Sequence, residues 1–420
     1  MRRLLSHLAL GLLIVGSALL AACSGPPAAE PERPAASALI LISLDGFRYD
    51  YLERGDVTAP TLQRLVAEGV RAESLVPVVP TKTFPNHYTL VTGLYTESHG
   101  VVGNSMIDPA FEAEGTPASF SMGNRAAVAD GRWWGGEPLW VTAERQGVRA
   151  ATLFWPGSEA EIGGVRPSDW LPYDHDLPYD TRVAMALDWL DRPAATRPGF
   201  VTLYFSSVDS QGHRHGPDAP EVAAAIEEVD AALAALLDGL AERGLIEGTD
   251  LVVVADHGMT ATSTERAVYL DDALTLDTHR IMWGEPVGIW TDDPDAVIDS
   301  LAVLDHVTVY RRDAIPDRMH YRDHRRIPDV VLFADEGWSV TNRAFVDERP
   351  GWLDGGAHGY DNAYASMGGL FVARGPSFRA DATVSAFSTV DVYGLLTAAM
   401  GLEPAPHEGD PDVIARVLRE

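Results

Sequence analysis

The sequence predicts an α/β fold: a mainly parallel central sheet flanked by helices, with a small α+β insert. Two observations carry this. The apolar runs ALILISLDG, AATLFWPG, FVTLYFSSVD, DLVVVADHG and GLFVARG are near-continuous, as parallel strands buried on both faces must be. Between them lie segments of helical period: TAPTLQRLVAEG, TRVAMALDWLD and the long APEVAAAIEEVDAALAALLDGLAERG. From 262 to 355 the alternation gives way to shorter β and α pieces, expected to form the insert, so that 38–261 and 356–420 make two parts of one core.

The first residues read differently. Arg2 and Arg3 precede an apolar run from Leu8 to Leu20, closed by Leu20-Ala21-Ala22-Cys23. A charged start, a short apolar stretch and small residues before the cut make a secretory signal rather than a membrane span. The cysteine at that cut resembles the bacterial lipobox, whose sulfur receives a diacylglycerol. The expectation is a lipoprotein signal peptide at 1–22, lipid on Cys23 and a Pro-rich tether over 23–37, SGPPAAEPERPAAS following the cysteine. The protein would then be exported and held on the cell envelope, on the periplasmic side or at the outer membrane. Cys23 is the only cysteine, so no intrachain disulfide forms. With 61 acidic against 32 basic residues, the formal charge of −29 disfavours nucleic-acid polymers, which need a cationic stripe. No protein partner is evident in the pattern.

The acidic residues acquire meaning once the strands are placed. Asp45 ends the first run, Asp209 follows FVTLYF, and Asp256-His257 ends DLVVVADHG. Sites in open α/β sheets form beyond the carboxyl ends of strands, and three aspartates gathered there repel one another unless cations neutralise them. DSQGH sets Asp209 and His213 at i and i+4, able to face one ion across a turn, and GGAHGYDN adds His358 in a Gly-rich loop. Aspartate, histidine and a hydroxyl oxygen suit zinc. His215 in HGP is expected in a polar turn, and His279, His306, His320 and His324 on the surface of the insert. The stretch TKTFPNHYTLVTG holds Lys82, the only lysine in the chain, directly before Thr83. Thr83 falls where a helix should begin, with Pro85 in its first turn.

These motifs resemble the nucleotide pyrophosphatase/phosphodiesterase family of the alkaline phosphatase superfamily. The matching stretches are SLDGFRYDYL, PTKTFPNHYTLVTGLYTESHGVVGNSM, WPGSEAEI, DSQGHRHGP, ADHGM and GAHGYDN, in the expected order from about 38 to 375. The resemblance implies an alkaline-phosphatase-like fold and two zinc ions. Asp45, Thr83, Asp256 and His257 would hold one, and Asp209, His213 and His358 the other. Thr83 would be the nucleophile, and Asn104 would join it in binding a nonbridging phosphoryl oxygen.

Metal coordination ionises a hydroxyl near neutral pH, and the positive end of the helix then faces the alkoxide and the attacked phosphoryl group. A phospho-threonine forms and water hydrolyses it. Lys82 is expected to add positive charge beside the substrate. Phe84 would line the pocket, and Tyr173 matches the second aromatic of the family, stacking on a nucleobase. The substrate would be a small nucleotide or another phosphodiester. The sequence departs from many animal members before Asp209, reading YFSSVD where they carry two glutamates. A sulfatase would need Cys or Ser in a C/S-x-P-x-R stretch, which TFPNH does not supply. Two alternatives stay open: a phosphomonoesterase of the same superfamily, for which Arg166 is a candidate for half of a cationic clamp, and an inactive lipid-anchored zinc-binding protein.

Overall fold

Every residue of ALILISL is buried, and the strand serves two cores at once. Leu39 and Leu41 pack into one apolar cluster and Ala38, Ile40, Ile42 and Leu44 into another, because successive side chains leave a strand on opposite faces. The structure, a computed structural model, describes residues 38–113 and 116–419. The expected signal peptide, the tether and Cys23 lie outside the described residues.

The eight strands of the main sheet are, in chain order, β1 (Ala38–Leu44), β2 (Val70–Ala72), β3 (Ala150–Leu153), β4 (Asp169–Leu171), β5 (Phe200–Phe205), β6 (Thr249–Val254), β7 (Phe371–Arg374) and β8 (Ala382–Val384). Their spatial order is β8-β2-β7-β6-β1-β5-β3-β4. β1 pairs in parallel with β5 on one side and β6 on the other, and β3 in parallel with β5 and β4. β7 departs from the expectation that GLFVARG is a parallel strand: it runs antiparallel to β6 and β2. The reason lies in the route of the chain. β6 delivers it to the carboxyl edge of the sheet, and it returns from that same edge after a long excursion, so it re-enters running backwards.

Helices cover both faces. Pro60–Glu68, Tyr179–Leu190 and the 23-residue Pro220–Glu242 bury their apolar stripes on one side, and Thr83–Thr92, Leu139–Arg145 and Asp391–Met400 on the other. Among the described residues no helix is long and apolar enough to cross a membrane. The excursion carries a separate antiparallel sheet of Arg280–Met282, Val287–Trp290, Val330–Ala334 and Val307–Arg311, in that spatial order, over a third apolar cluster that includes Val287, Leu301 and Leu332. The link from Met282 to Val287 reaches back over the start of Thr83–Thr92, where Gly284 meets Lys82.

Candidate active site

Each carboxylate reaches the site because a strand stops. β1 ends at Leu44, and Asp45 follows, its backbone N–H donating to Phe205 O at 2.9 Å. Gly46 turns the chain with a left-handed φ of 68° and donates its N–H to Asp256 Oδ1 at 3.2 Å. A side chain at Gly46 would also meet the Asp209 backbone at 2.9 Å, so the LDG motif is a close-approach requirement as well as a turn. After β5 the chain enters α1 (Ser207–His215), whose first turn carries Asp209 and whose last turn carries His213. Asp209 N–H donates to Asp45 O at 3.1 Å, tying the two strand ends together.

The imidazoles are oriented by backbone carbonyls. His213 Nδ1 bonds Gly356 O at 2.8 Å, His257 Nδ1 bonds Gly258 O at 2.9 Å and His358 Nδ1 bonds Thr81 O at 2.7 Å. Each ring therefore donates through Nδ1 and presents Nε2 with its lone pair inward, as metal-ligating histidines do. His257 Nε2 lies 3.0 Å from Asp256 Oδ2 and 3.5 Å from Asp45 Oδ1. His213 and His358 Nε2 lie 3.4 and 3.7 Å from Asp209 Oδ1 and 3.1 Å from each other. Asp45 Oδ1, Asp209 Oδ1 and Asp256 Oδ2 are buried oxygens without a hydrogen-bond donor. Orphaned carboxylate oxygens facing nitrogen lone pairs are a donor set for cations, so the residues fit the metal the pattern implies.

The electrostatics show the same strain. Burial, then the charges of Asp256 and Asp209, push the Asp45 carboxyl well above its ordinary range. Burial would also raise Asp256, but a proton drawn onto His257 Nε2, which a bound cation would displace, holds it well below, with His87 alongside. Burial drives His358 far down, helped by His257, His213 and Lys82, so the ring stays neutral. By proximity the ligand atoms fall into two groups, Asp209–His257–His358 and Asp45–His87–Asp256, each within 4.8 Å. This grouping differs from the one the resemblance implies. His257 stands on the boundary, stacked on His358 with ring centres 3.5 Å apart. His87 is an anchor rather than a ligand, since its nitrogens are taken by Ser43 Oγ at 2.7 Å and Thr83 O at 2.8 Å.

Thr83 opens α2 (Thr83–Thr92), whose N-cap Lys82 makes no side-chain cap; with Pro85 lacking an N–H and the Phe84 N–H taken by a side chain, the Thr83 N–H is the open amide of the first turn. Thr83 Oγ1 lies 3.4 Å from His257 Nε2. Asn104 accepts the Phe84 N–H at 2.9 Å, which leaves its NH2 group as the free donor beside Thr83. A cavity of about 580 Å³ spreads from Thr83, Asp45 and Asp209 to Phe84, Phe154 and Tyr173. Phe84 is braced edge-on by Phe120 and Trp134, while Tyr173 is 38 % exposed and rests edge-on against Phe154.

The structure thus gathers Asp45, Thr83, Asn104, Asp209, His213, Asp256, His257 and His358 at one edge of the sheet. Lys82 lies outside the cavity lining, in a small groove it shares with Asn104. Arg166 is not in the cavity lining: it is exposed and lies over the Trp170 ring, 5.1 Å away. His215 is exposed at the end of α1. His324 departs from its expected surface position: it is half-buried against Gly100 and Arg326 and is held down at about 4 by burial and by the arginines beside it. Sequence reasoning missed Tyr204, whose hydroxyl donates to Asp45 Oδ2 at 2.5 Å, and Glu159, which accepts the Tyr173 N–H at 3.0 Å. It also missed His87, although its position four residues after Thr83 on one helix was a signal for it.

The family described as type I phosphodiesterase / nucleotide pyrophosphatase matches residues 39–361. A venom phosphodiesterase of Naja atra is 37 % identical over 411 residues, covering 94 % of this chain and 48 % of its own. Ectonucleotide pyrophosphatase/phosphodiesterase family member 3 of Bos taurus is 36 % identical over 394 residues, covering 91 % and 44 %. The chain thus spans about half the length of the curated relatives it matches. Among solved structures, murine ectonucleotide pyrophosphatase/phosphodiesterase 5 superposes with a TM-score of 0.84 at 34 % identity, covering 90 % of this chain and all of that one. An inactive threonine-to-alanine form of that murine protein, in complex with AMP, gives a TM-score of 0.83 at 34 % identity over 91 % of this chain.

Proposed function

Because the chain belongs to the type I phosphodiesterase / nucleotide pyrophosphatase family, we propose that it hydrolyses nucleotide phosphodiester and pyrophosphate bonds through a covalent phospho-threonine, releasing a nucleoside 5′-monophosphate. One observation carries the reading: the Thr83 hydroxyl stands at a helix start, 3.4 Å from His257, beside orphaned carboxylate oxygens and open to an aromatic cavity.

Thr83 Oγ attacks the phosphorus as the bond to the leaving oxygen breaks. The electron pair leaves with that oxygen, and the proton lost by Thr83 balances the one the leaving oxygen gains. Water then attacks the phospho-threonine, regenerating Thr83 and freeing the nucleotide. Asn104 donates its NH2 group to a nonbridging oxygen, and the start of α2 adds the positive end of a helix. Two zinc ions, when bound, lower the pKa of the hydroxyl and neutralise charge on the attacking and leaving oxygens. Asp45, Thr83, Asp256 and His257 would hold one, and Asp209, His213 and His358 the other. Phe84 and Tyr173 grip the base from two walls of the cavity, and the AMP-bound relative supports a nucleotide as occupant. Lys82 sets a positive charge toward the remaining phosphates.

In this reading 262–355 is a cap inserted between 38–261 and 356–420, and lipid on Cys23 holds the enzyme on the cell envelope. Relatives named as venom and ecto-enzymes support export. The test compares kcat/KM for one diester and its matching monoester. A diester carries one phosphoryl charge; among the described residues Arg125 lines the cavity but pairs with Glu159, and Lys82 lies outside that lining, so no lysine–arginine pair meets a second charge. The diester should win; a preference for the monoester would make the protein a phosphatase of the same superfamily.

A further inference from the structure

Among the described residues, the wall of the large cavity holds a single lysine or arginine, Arg125. Its segment is tied to Asn104, whose carbonyl accepts the Met122 N–H at 3.2 Å. Asn124 then caps the short helix Arg125–Val128, its side chain accepting the Ala127 N–H at 3.2 Å, so Arg125 leaves the backbone at a fixed place. Phe84 belongs to the same wall, because Phe120, two residues before Met122, packs edge-on against it with ring centres 5.8 Å apart. Tyr173 forms the other wall. Glu159 joins the two: Oε1 accepts the Tyr173 N–H at 3.0 Å and Oε2 accepts from Arg125 Nη2. The Arg125–Glu159 pair therefore crosses from the Phe84 wall to the Tyr173 wall. Its carboxylate is nearly buried, whereas the guanidinium is 45 % exposed, and among the described residues its Nε and Nη1 have no partner.

A base gripped between Phe84 and Tyr173 turns one edge toward this pair. Arginine offers N–H donors and no acceptor, and both Glu159 oxygens already accept a bond. The edge that meets them has to supply acceptors. Guanine does so with O6 and N7 and uracil with O4, whereas adenine sets an amino donor beside N7 and cytosine presents the amino donor alone. On the reading that this cavity seats a nucleotide, we propose that Arg125 selects the base, so that the substrate class is esters of guanine and uracil nucleotides ahead of their adenine and cytosine counterparts. Stacking cannot make this choice, since every base has a π-face. Asp174 in the same lining would favour an amino edge, but its carboxylate is engaged by its own loop, where Oδ1 accepts the Asp176 N–H at 3.0 Å.

The test uses the full metal-loaded chain with the 5′-p-nitrophenyl phosphodiesters of guanosine, adenosine, uridine and cytidine, which share one leaving group. Each kcat/KM is divided by that for methyl p-nitrophenyl phosphodiester on the same preparation. Guanosine should exceed adenosine, and uridine cytidine, by roughly fivefold, the weak end of one base-edge contact. Arg125→Met keeps the stem without the donors and should bring each pair within about twofold. A second readout is binding alone: Thr83→Ala protein should hold GMP more tightly than AMP by a similar factor, and adding Arg125→Met should erase the difference. A wild type without the preference, a preference that survives Arg125→Met, or equal losses on all four esters would overturn the assignment, the last by leaving Arg125 a general positive charge. If the wild type turned over none of the esters, the proposed reaction would fall, and the GMP-to-AMP binding ratio would still decide the base contact.

Discussion

At the scale of single residues, the site gathers buried carboxylate oxygens without donors beside the Thr83 hydroxyl, and on the proposed reading cations neutralise the one and activate the other. Thr83→Ala removes one oxygen and leaves Asp45, Asp256 and His257 held by Tyr204, Gly46 and Gly258. The variant should fold and keep most of its metal while turnover falls roughly 10³-fold or more, as for other covalent nucleophiles. Steady-state kinetics with metal analysis on the same sample checks this, and near-normal turnover would exclude threonine as nucleophile. Tyr204→Phe asks a different question. It deletes only the 2.5 Å hydroxyl bond that orients Asp45. Loss of an outer partner of a ligating carboxylate costs about 10–100-fold in metal affinity, so chelator should inactivate this variant at correspondingly lower concentration. Equal sensitivity to chelator in both proteins would show that Asp45 needs no such support.

Elements differ in how plainly the sequence announces them. The helix Pro220–Glu242 and strands β1, β5 and β6 were legible because burial on fixed faces leaves a period that little else produces. The direction of β7 was not, since an antiparallel strand in a covered sheet is as apolar as a parallel one. The hairpin Ser105–Ala113 with Thr116–Ser121 was hidden by Pro109, which falls where the register shifts between Asp108 and Glu112. At the site, Asp45, Asp256 and His257 were legible because a strand ends in them. Tyr204 was not, because its polar tip emerges from the interior of a strand that reads as core. The aromatic wall depends on elements of this less legible kind. Tyr173 follows the three-residue edge strand β4, and Glu159 holds its N–H while pairing with Arg125. Tyr173→Ala should therefore lower kcat/KM for nucleotide substrates roughly tenfold through lost stacking and spare a methyl-aryl phosphodiester. Parallel losses on both substrates would mean that the ring braces the wall instead of gripping a base.

The whole molecule carries a formal charge of −29, so acidification acts on it in opposing ways. Protonating surface carboxylates relieves self-repulsion and favours the compact state. Buried neutral histidines act against this, and His99 is the clearest case. Its Nδ1 accepts the Val101 N–H at 3.0 Å and its Nε2 lies 3.0 Å from Thr89 Oγ1, so the folded ring has no place for a second proton. Burial, with His324 and Arg326 alongside, drives it down to about 3. A free histidine in the unfolded chain titrates near 6.5, so between those values the unfolded state binds the extra proton. Stability from this residue is complete above about 6.5 and is lost as pH falls toward about 3. Between pH 7 and pH 5 the loss amounts to about 2 kcal/mol from one group. His99→Gln should be less stable than the wild type at pH 7, because a buried bond partner changes shape. Its unfolding free energy should nonetheless decline less between pH 7 and pH 5, by about that same 2 kcal/mol. Comparing the two proteins by urea unfolding at each pH cancels the surface-charge contribution they share, and parallel pH profiles would show that His99 takes up no proton on unfolding.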